Sequence, residues 1–307
     1  MPQLAKTLAH LGDASRKLEH KELRQLNDIG ADAQAEFWAA WQKIDPARRR
    51  EIATALASLA EDNVEFDFRD VFSAILQDSE AEVRTAAVDG LWEDERLTTL
   101  RRLLPMLADD PDDDVRAAVA LALGRFAYRS SLDELPARVG KDVRQALLES
   151  ASNLDLADEV RRRSLEGLGY YVGDDVTKLI GQAYTSGRQP LKASALVAMG
   201  HNLDARWLPV FEAELQSNEP ALRYEAARAT GELGAAAASL LPRLLPLAEG
   251  DDSEVAAAAI WALGQIGGEA ARRVLKRLAQ SDDETVQQAA DEALAELQIE
   301  DGSFGLI

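Results

Sequence analysis

The chain contains no cysteine, and that absence removes several kinds of site at once. Disulfides, thiolate nucleophiles and cysteine-ligated zinc are excluded, and the composition is typical of a reducing compartment. Histidine is scarce as well: the three histidines are His10, His20 and His201, and none is spaced for a metal pair. No other catalytic or cofactor motif is present. The sequence therefore predicts a protein that is not an enzyme, with no catalytic residues, no metal and no cofactor.

Long apolar segments are also missing. The longest, from Val255 to Leu263, has nine residues, whereas about twenty are needed to cross a bilayer. The first ten residues lack the apolar stretch of a signal peptide. We expect a soluble, cytoplasmic protein that has no membrane partner.

Positive charge is in short supply, because the formal net charge is −20. Residues 1–50 hold nine Lys/Arg and seven Asp/Glu, so the remainder of the chain carries −22. Such a surface repels phosphate backbones and anionic lipid, which disfavours general nucleic-acid binding. Solubility of a long exposed surface is the simplest explanation of the acidity. A specific basic partner is the alternative.

What the chain does contain is a repeat. The phrase Val-Arg-x-Ala-Ala begins at Val83, and related phrases follow at intervals of 32, 45, 31, 31, 33 and 31 residues, beginning at Val115, Val160, Leu191, Leu222, Val255 and Val286. After each of these anchor residues, apolar or small residues recur at +3 or +4, +7 and +8, which is the period of a helix. Turn-forming and N-capping residues precede the anchors. A helical repeat of this length predicts stacked helix pairs instead of a single globular core.

Two stretches carry a family resemblance: Asp-Pro-Asp-Asp-Asp-Val-Arg-Ala-Ala-Val-Ala-Leu-Ala-Leu-Gly (110–124) and Asp-Asp-Ser-Glu-Val-Ala-Ala-Ala-Ala-Ile-Trp-Ala-Leu-Gly (251–264). Over residues 46–298 the chain resembles the bacterial short HEAT-like repeats that also occur in phycobilin lyase subunits. The resemblance implies an all-α fold, an α-solenoid (superhelix) of stacked antiparallel helix pairs with about seven to eight repeats. It also implies that an arginine after each anchor ties adjacent units, as Arg84, Arg116, Arg161 and Arg223 would, with Lys192 close to the pattern. Ala256 and Gln287 depart from it, so we expect packing alone to hold the last two joints.

Three regions follow from this pattern. Residues 1–45 do not fit the repeat and are predicted to form an N-terminal helical cap, in which Phe37, Trp38 and Trp41 lie on one side of a helix and pack on the first repeat. The alternative is that these aromatic residues anchor a partner protein. Residues 46–298 form the solenoid, and residues 299–307 a C-terminal tail. The long interval after Val115 predicts an inserted loop or short helix around residues 128–141, either as plain length variation or as part of a binding face.

The helix that begins at each anchor is the second helix of its pair. Its positions +2, +6 and +10 lie on one helix face, away from the apolar stripe, and we expect them to line the concave face of the solenoid. Aromatic residues occupy this face in four consecutive repeats, beside charged and amide side chains, a mixture enriched at interface hot spots. The predicted binding groove consists of Arg125, Tyr170, His201, Tyr224, Arg228, Glu232, Trp261 and Gln265. The alternative is that Trp261 and Tyr170 belong to the core between repeats.

The leading functional hypothesis is a non-enzymatic scaffold or adaptor that binds a protein or peptide on the concave face. The alternative is a subunit of a phycobilin-lyase-like or assembly-chaperone complex, which only the resemblance implies. A third hypothesis, nucleic-acid binding, would need a local basic patch such as residues 48–50 or 161–163, and either arginine triplet is equally explained as a solvated helix face. The sequence leaves the partner, the pathway and the oligomeric state open.

Overall fold

The computed structural model describes the backbone of residues 2–63 and 65–303 and the side chains of residues 4–63 and 65–297. Within these residues there are 18 α-helices, four short 3₁₀ segments and no strand. The predicted all-α solenoid class is confirmed. The chain divides into two compact units, residues 1–164 (unit 1) and 165–307 (unit 2). This division falls inside one helix, and each unit is described by itself.

Unit 1 begins with short N-terminal helices and continues with longer pairs. Its helices are α1 (Pro2–Leu11), α2 (His20–Leu23), α3 (Gln34–Trp41), α4 (Pro46–Asp62), α5 (Arg69–Ile75), α6 (Ala81–Gly90), α7 (Leu97–Asp109), α8 (Asp113–Ser131), α9 (Ala137–Ser152) and the start of α10 (Asp158–Leu168). Helices α4, α6 and α8 lie side by side, and α5 and α7 pack on α6 and α8 respectively. The second helices of successive pairs therefore form one layer and the first helices another.

Unit 2 repeats this two-layer arrangement. Its helices after α10 are α11 (Asp174–Tyr184), α12 (Gln189–Asn202), α13 (Leu208–Glu214), α14 (Pro220–Glu232), α15 (Leu241–Ala248), α16 (Ser253–Ile266), α17 (Gly268–Leu278) and α18 (Glu284–Ser303). Helices α12, α14, α16 and α18 form the layer of second helices, and α11, α13, α15 and α17 each pack on the helix that follows. The predicted tail is partly helical, since α18 extends to Ser303, and residues 304–307 lie outside the described residues.

The repeat anchors point into the core, as their phase predicts. Val83, Val115 and Val160 are wholly buried, Leu191, Leu222 and Val255 are buried, and Val286 in the last helix is half-buried. Aspartates cap some of the second helices: Asp112 accepts the N–H groups of Asp114 and Val115, at 3.0 and 3.2 Å, and Asp252 accepts the Val255 N–H at 3.2 Å. Satisfying the free N–H groups of the first turn fixes where the helix begins. The acidic turn at residues 109–114 is thus a helix start.

The N-terminal aromatic residues pack as the cap interpretation expects, with one difference. Phe37 and Trp41 are fully buried and stacked, with ring centroids 5.5 Å apart. The Trp41 indole N–H donates to Asp78 at 2.6 Å, which connects α3 to the turn after α5. Trp38 lies on another side of α3 and is half-buried.

The predicted insertion at residues 128–141 is not a separate loop or short helix. Residues 128–131 extend α8, which has 19 residues and ends at Ser131, residues 132–136 form a turn, and residues 137–141 begin α9. The helix continues because Phe126 and Ala127 remain fully buried. Pro136 precedes α9 as its N-cap, and Gly140 lies within α9, where its missing side chain leaves room for Ser130.

The arginine triplet at residues 48–50 is not a solvated face, which corrects that interpretation and removes it as a nucleic-acid patch. Arg48 and Arg49 are buried. Arg48 Nε donates to the Leu11 carbonyl at 2.6 Å, and Arg49 Nη2 donates to Asp78 Oδ1 at 3.1 Å. Only Arg50 is substantially exposed among the three, and it pairs with Glu82 at 3.2 Å. The triplet therefore joins the N-terminal helices to the first repeats.

Candidate functional site

Seven of the eight predicted groove residues lie in unit 2, on the face formed by the second helices. Tyr170 follows α10, and His201 belongs to α12. Tyr224, Arg228 and Glu232 belong to α14, while Trp261 and Gln265 belong to α16. We call these seven residues the aromatic row. None of them is fully buried: Glu232 is exposed, and the other six are partly exposed.

The first contact in the row is a ring stack. The rings of Tyr170 and His201 are nearly parallel, with an interplanar angle of 10° and centroids 4.1 Å apart. His201 Nδ1 lies 2.9 Å from the Glu166 carbonyl oxygen, so this nitrogen carries the proton and donates. Burial lowers the pKa of His201, and this effect outweighs the Glu166 hydrogen bond and the nearby Glu232 carboxylate, which raise it. The histidine is therefore a neutral, fixed ring at neutral pH.

The second contact joins α14 to α16. The Arg228 guanidinium lies over the Trp261 ring, with Cζ 3.8 Å from the ring centroid, an arrangement in which the cation is attracted to the aromatic face. Arg228 also lies 3.8 Å from Glu232 on the same helix. The ring edge of Trp261 occupies the space above Gly231, where an added Cβ would collide with it. Trp261 is thus held on two sides and is still partly open to solvent.

The remaining members complete the row. Glu232 reaches back towards α12, because its Cγ lies 3.6 Å from the place where a Cβ on Gly200 would be. Gln265, one helical turn after Trp261, donates to Glu296 of α18 at 2.5 Å. Tyr224 is one turn before Arg228 on α14 and is half-buried. Side chains from four successive second helices therefore meet along one face of unit 2.

Arg125, the eighth predicted residue, belongs to unit 1. Its Nη1 donates to the Trp92 carbonyl oxygen, and Nε and Nη2 are enclosed with no hydrogen-bond partner among the described residues. Burial lowers the pKa of Arg125 to about 10, against the nearby charges of Asp94 and Glu95, which raise it. Its guanidinium supports Trp92 instead of facing solvent.

Sequence reasoning missed a second group of exposed side chains, on α8. Leu121, Tyr128 and Leu132 are exposed although large and apolar. Their spacing of seven and four residues is the signal that could have found them, since it places all three on one helix face. Reading residues 128–141 as an insertion hid this pattern, because the interpretation ended the helix before Tyr128.

Other candidate sites in the sequence are structural. The glycines Gly167, Gly169 and Gly173 have a spacing close to that of a nucleotide-binding glycine loop, which follows a strand, but they lie at the end of α10 and before α11. In the second arginine triplet, Arg162 and Arg163 both contact Glu159, at 2.6 and 2.8 Å. Among the described residues there is no group of three potential metal-ligating side chains, and no helix there is long and apolar enough to cross a membrane.

A family assignment follows from comparison with known sequences. The sequence model of HEAT repeats matches residues 69–155 and 208–295, which together are more than half of the chain. The chain belongs to the HEAT-repeat family. No curated protein matches this HEAT-repeat chain by overall sequence.

Solved structures agree on the fold. The complex of CpcE and CpcF of phycocyanin lyase from Nostoc sp. PCC7120 matches 75% of this HEAT-repeat chain and 88% of its own chain, with 23% identity and a TM-score of 0.54. A chain from the structure of Kap95p and RanGDP matches 96% of this chain with 16% identity and a TM-score of 0.51. A chain from the Kap95:Nup1 complex also matches 96% of this chain, with 15% identity and a TM-score of 0.51. This chain spans less than half of those two longer chains, at 45% and 46%. At these identities the likeness shows a shared fold.

The arginine ties implied by the family are present at some joints of this HEAT-repeat protein. Arg84 pairs with Asp110 of the following turn through two contacts of 2.7 and 2.8 Å. Arg223 lies 3.5 Å from Asp252 of the following turn. Lys192 also reaches a neighbouring repeat, where it pairs with the buried Glu214 at 2.7 Å.

Two of the expected arginines make local contacts instead. Arg116 donates to the Leu107 carbonyl at 3.0 Å, within its own repeat. Arg161 lies 3.5 Å from Asp158, three residues before it on α10. The arginine after the anchor therefore ties adjacent repeats at Arg84 and Arg223 and not at Arg116, although Asp155 stands in the turn before the next anchor there.

Proposed function

We propose that this HEAT-repeat protein is a non-enzymatic scaffold that binds a protein or peptide along the aromatic row, on the concave face of the solenoid. The single observation that carries the proposal is the state of Trp261. Its ring is fixed over Gly231 and beneath Arg228, yet it is partly exposed. A tryptophan held in one orientation at the surface loses little side-chain entropy on binding, which is a property of interface hot spots.

The row also has the dimensions of a peptide site. Adjacent packed helices lie about 8–10 Å apart, so three steps from the end of α10 to α16 span roughly 25–30 Å. An extended segment advances about 3.3 Å per residue, and about eight residues would cover the row. The stacked Tyr170–His201 pair and the Arg228–Glu232–Trp261 cluster offer aromatic and charged contacts of both signs along that length.

The test is affinity capture from native cell extract, followed by titration of the identified partner. Trp261→Ala should weaken binding by about 2 kcal/mol, roughly thirtyfold, with the helical circular dichroism unchanged. Gly231→Ala should act in the same direction, because the new methyl group must displace the Trp261 ring.

Trp92→Ala is the matched control, since Trp92 is an exposed tryptophan of unit 1 outside the row. It should leave binding at the row unchanged. A folded Tyr224→Ala/Trp261→Ala double variant that still captures the partner in full would move the binding site away from the row.

A second candidate is a subunit of a phycobilin-lyase-like or assembly-chaperone complex. The observation in its favour is the fold shared with the CpcE and CpcF chains over 88% of that chain's length. Mixing the purified protein with a bilin and recording visible spectra distinguishes the two functions. A new absorbance band that disappears in the Trp261→Ala variant would favour the bilin function, and an unchanged sum of the two spectra would favour the scaffold.

A further inference from the structure

Unit 1 presents an apolar surface that the aromatic row does not include. Leu121, Tyr128 and Leu132 are 48–55% exposed along α8, and Trp92, in the turn after α6, is 49% exposed. Trp92 and Leu121 line one shallow depression, and Tyr128 and Leu132 follow Leu121 on the same side of α8 at spacings of seven and four residues. Several large apolar side chains exposed together are uncommon on a monomer and mark interaction sites.

Two bases of α8 lie beside this surface, and both hold the turn after α6: Arg129 Nη1 donates to the Glu95 carbonyl at 3.1 Å, and Arg129 also pairs with Glu134. Arg125 is one turn after Leu121, and its guanidinium holds the Trp92 carbonyl and two of its nitrogen atoms are enclosed. Arg125 therefore fixes the turn that carries Trp92. It leaves the apolar surface without an exposed cation at this position.

Beside Trp92 the surface continues into a cleft of about 890 Å³ between α4, α6 and α8. Its carboxylates include Glu61, Asp89 and Asp114, and no Lys or Arg is among its lining within the described part of the chain. Restricted solvation, together with the charge of Glu61, raises the pKa of Asp89. The carboxylates of Glu61, Asp89 and Asp114 thus face no Lys or Arg among the described residues that line the cleft, whereas Glu82 at its edge pairs with Arg50.

We propose that this surface, which we call the α8 surface, docks a basic amphipathic helix of a partner protein. The apolar side of that helix would cover Trp92, Leu121, Tyr128 and Leu132, and its Lys or Arg residues would lie over the carboxylates of the cleft. From Asp114 to Leu132 the face is 18 residues long, about 27 Å at 1.5 Å per residue, which suits a partner helix of about five turns. An apolar stripe along one helix beside a cleft lined by carboxylates suits an amphipathic helix with a basic side, the pattern of helix-in-groove binding.

Charge and burial argue against two other occupants. An anionic membrane is repelled by the carboxylates of the cleft. A second copy of this chain offers the basic helix α17, but Ala271, Leu275 and Leu278 of that helix are buried within unit 2. Helix α17 therefore has cations to present and no free apolar side to cover Trp92 and Leu121.

The probe is a labelled 18-residue peptide of leucine and lysine, with the leucines at helical spacing on one side. A scrambled peptide of the same composition has the same charge without the apolar side. In fluorescence anisotropy the full-length protein should bind the amphipathic peptide at least tenfold more tightly than the scrambled one, and the peptide should become helical on binding. Equal affinities would show that charge alone attracts the peptide and would overturn the proposal.

Two pairs of variants locate the site. Trp92→Ala/Leu121→Ala should weaken binding tenfold or more, whereas Leu154→Ala/Val172→Ala should leave it unchanged, because those side chains are more exposed still but lie elsewhere. Glu61→Gln/Asp89→Asn should weaken binding and flatten its salt dependence more than Asp282→Asn/Glu284→Gln, which removes the same charge from unit 2. Tyr128→Ala provides a second apolar test if the double variant unfolds.

Three results would overturn the proposal. They are unchanged binding by the folded Trp92→Ala/Leu121→Ala variant, equal effects of the two acid pairs, and binding to anionic vesicles that the peptide does not displace. Loss of peptide binding in the Trp261→Ala variant would instead place the peptide on the aromatic row. Because the α8 surface and the row lie in different units, failure of one proposal leaves the other intact.

Discussion

The joints between successive helix pairs differ between the two units. In unit 1, buried arginines connect one repeat to the next: Arg49 contacts Asp78, and Arg84 contacts Asp110. Unit 2 also has charged ties, Arg223–Asp252 and Lys192–Glu214, and in addition glycines near the ends of its second helices face alanines of the next second helix, at Gly169–Ala198, Gly200–Ala229, Gly231–Ala262 and Gly264–Ala293. The first arrangement fixes a joint by charge and geometry, and the second by close approach of two backbones.

This difference between the joints determines which side chains of each unit are exposed. Close packing of second helices in unit 2 brings side chains near each glycine together: Tyr170 and His201, directly after Gly169 and Gly200, are stacked, and Arg228 and Trp261, three residues before Gly231 and Gly264, are in contact. In unit 1, Trp92 takes the position that a glycine has in later repeats, and it stands exposed. The same repeat thus produces the aromatic row, whose side chains contact one another, in unit 2, and the exposed apolar side chains of the α8 surface in unit 1.

The largest expected effect comes from breaking a charged joint of unit 1. Arg84→Ala should lower the free energy of unfolding by about 3–5 kcal/mol, because it leaves Asp110 largely buried without its partner. A urea titration followed by circular dichroism measures this change. Arg84→Met/Asp110→Leu should cost less than the sum of its two single changes, since no unpaired charge remains.

Arg243→Ala is the control for that experiment. Arg243 pairs with Glu212 at 3.1 Å on the exposed surface of unit 2, and exposed pairs contribute about 0–1 kcal/mol. Similar losses for Arg84→Ala and Arg243→Ala would mean that the charged joints of unit 1 do not differ from ordinary surface pairs.

A smaller effect is expected from crowding a joint of unit 2. In Gly169→Ala the new Cβ would lie 2.7 Å from Ala198 Cα, so the two backbones must separate. Overpacking of this kind costs about 1–3 kcal/mol. Gly181→Ala, in α11, is the matched change in the same unit, because nothing lies within 4 Å of its added Cβ.

Gly181→Ala should raise the free energy of unfolding by about 0.4–1 kcal/mol, since it restricts the unfolded chain and favours the helix. The two substitutions should therefore shift the urea midpoint in opposite directions. A shift in the same direction for both would argue that close approach at Gly169 does not hold the joint.

The smallest expected effect is a pH dependence confined to unit 2. Because burial lowers the pKa of His201, the unfolded chain takes up a proton at a higher pH than the folded one. Stability should be complete above the ordinary histidine pKa of about 6.5 and should fall as the pH drops from there through the lower folded pKa.

Thermal melts between pH 8 and pH 5 measure this loss. His201→Gln should remove the part of the loss that lies below pH 6.5, whereas His20→Gln, at an exposed position of unit 1, should not. Identical melting curves for the wild type and the His201→Gln variant over this range would show that the Tyr170–His201 stack tolerates the charged ring.

The sequence by itself determined the helix pairs, their phase and the family. A repeat near 31 residues and a 3.6-residue apolar stripe are local patterns, and they place Val83, Val115 and Leu263 in the core without knowledge of their neighbours. Glycine at the ends of second helices and aspartate before some of them could also be interpreted from the sequence, because each acts on the backbone of its own helix: aspartate accepts the N–H groups of the first turn, and glycine permits the chain to turn at the end.

Tertiary structure decided which surfaces are open. Arg48 and Arg49 were indistinguishable from a solvated triplet until Leu11 and Asp78, 37 and 29 residues away, came to lie against them. The extension of α8 past Tyr128, and with it the α8 surface, depended on the burial of Phe126. Trp261 is fixed but still partly exposed because Gly231 and Arg228 come from the preceding repeat. The physical reason is common to all three: burial depends on contacts made across a repeat, which a pattern within one helix does not contain.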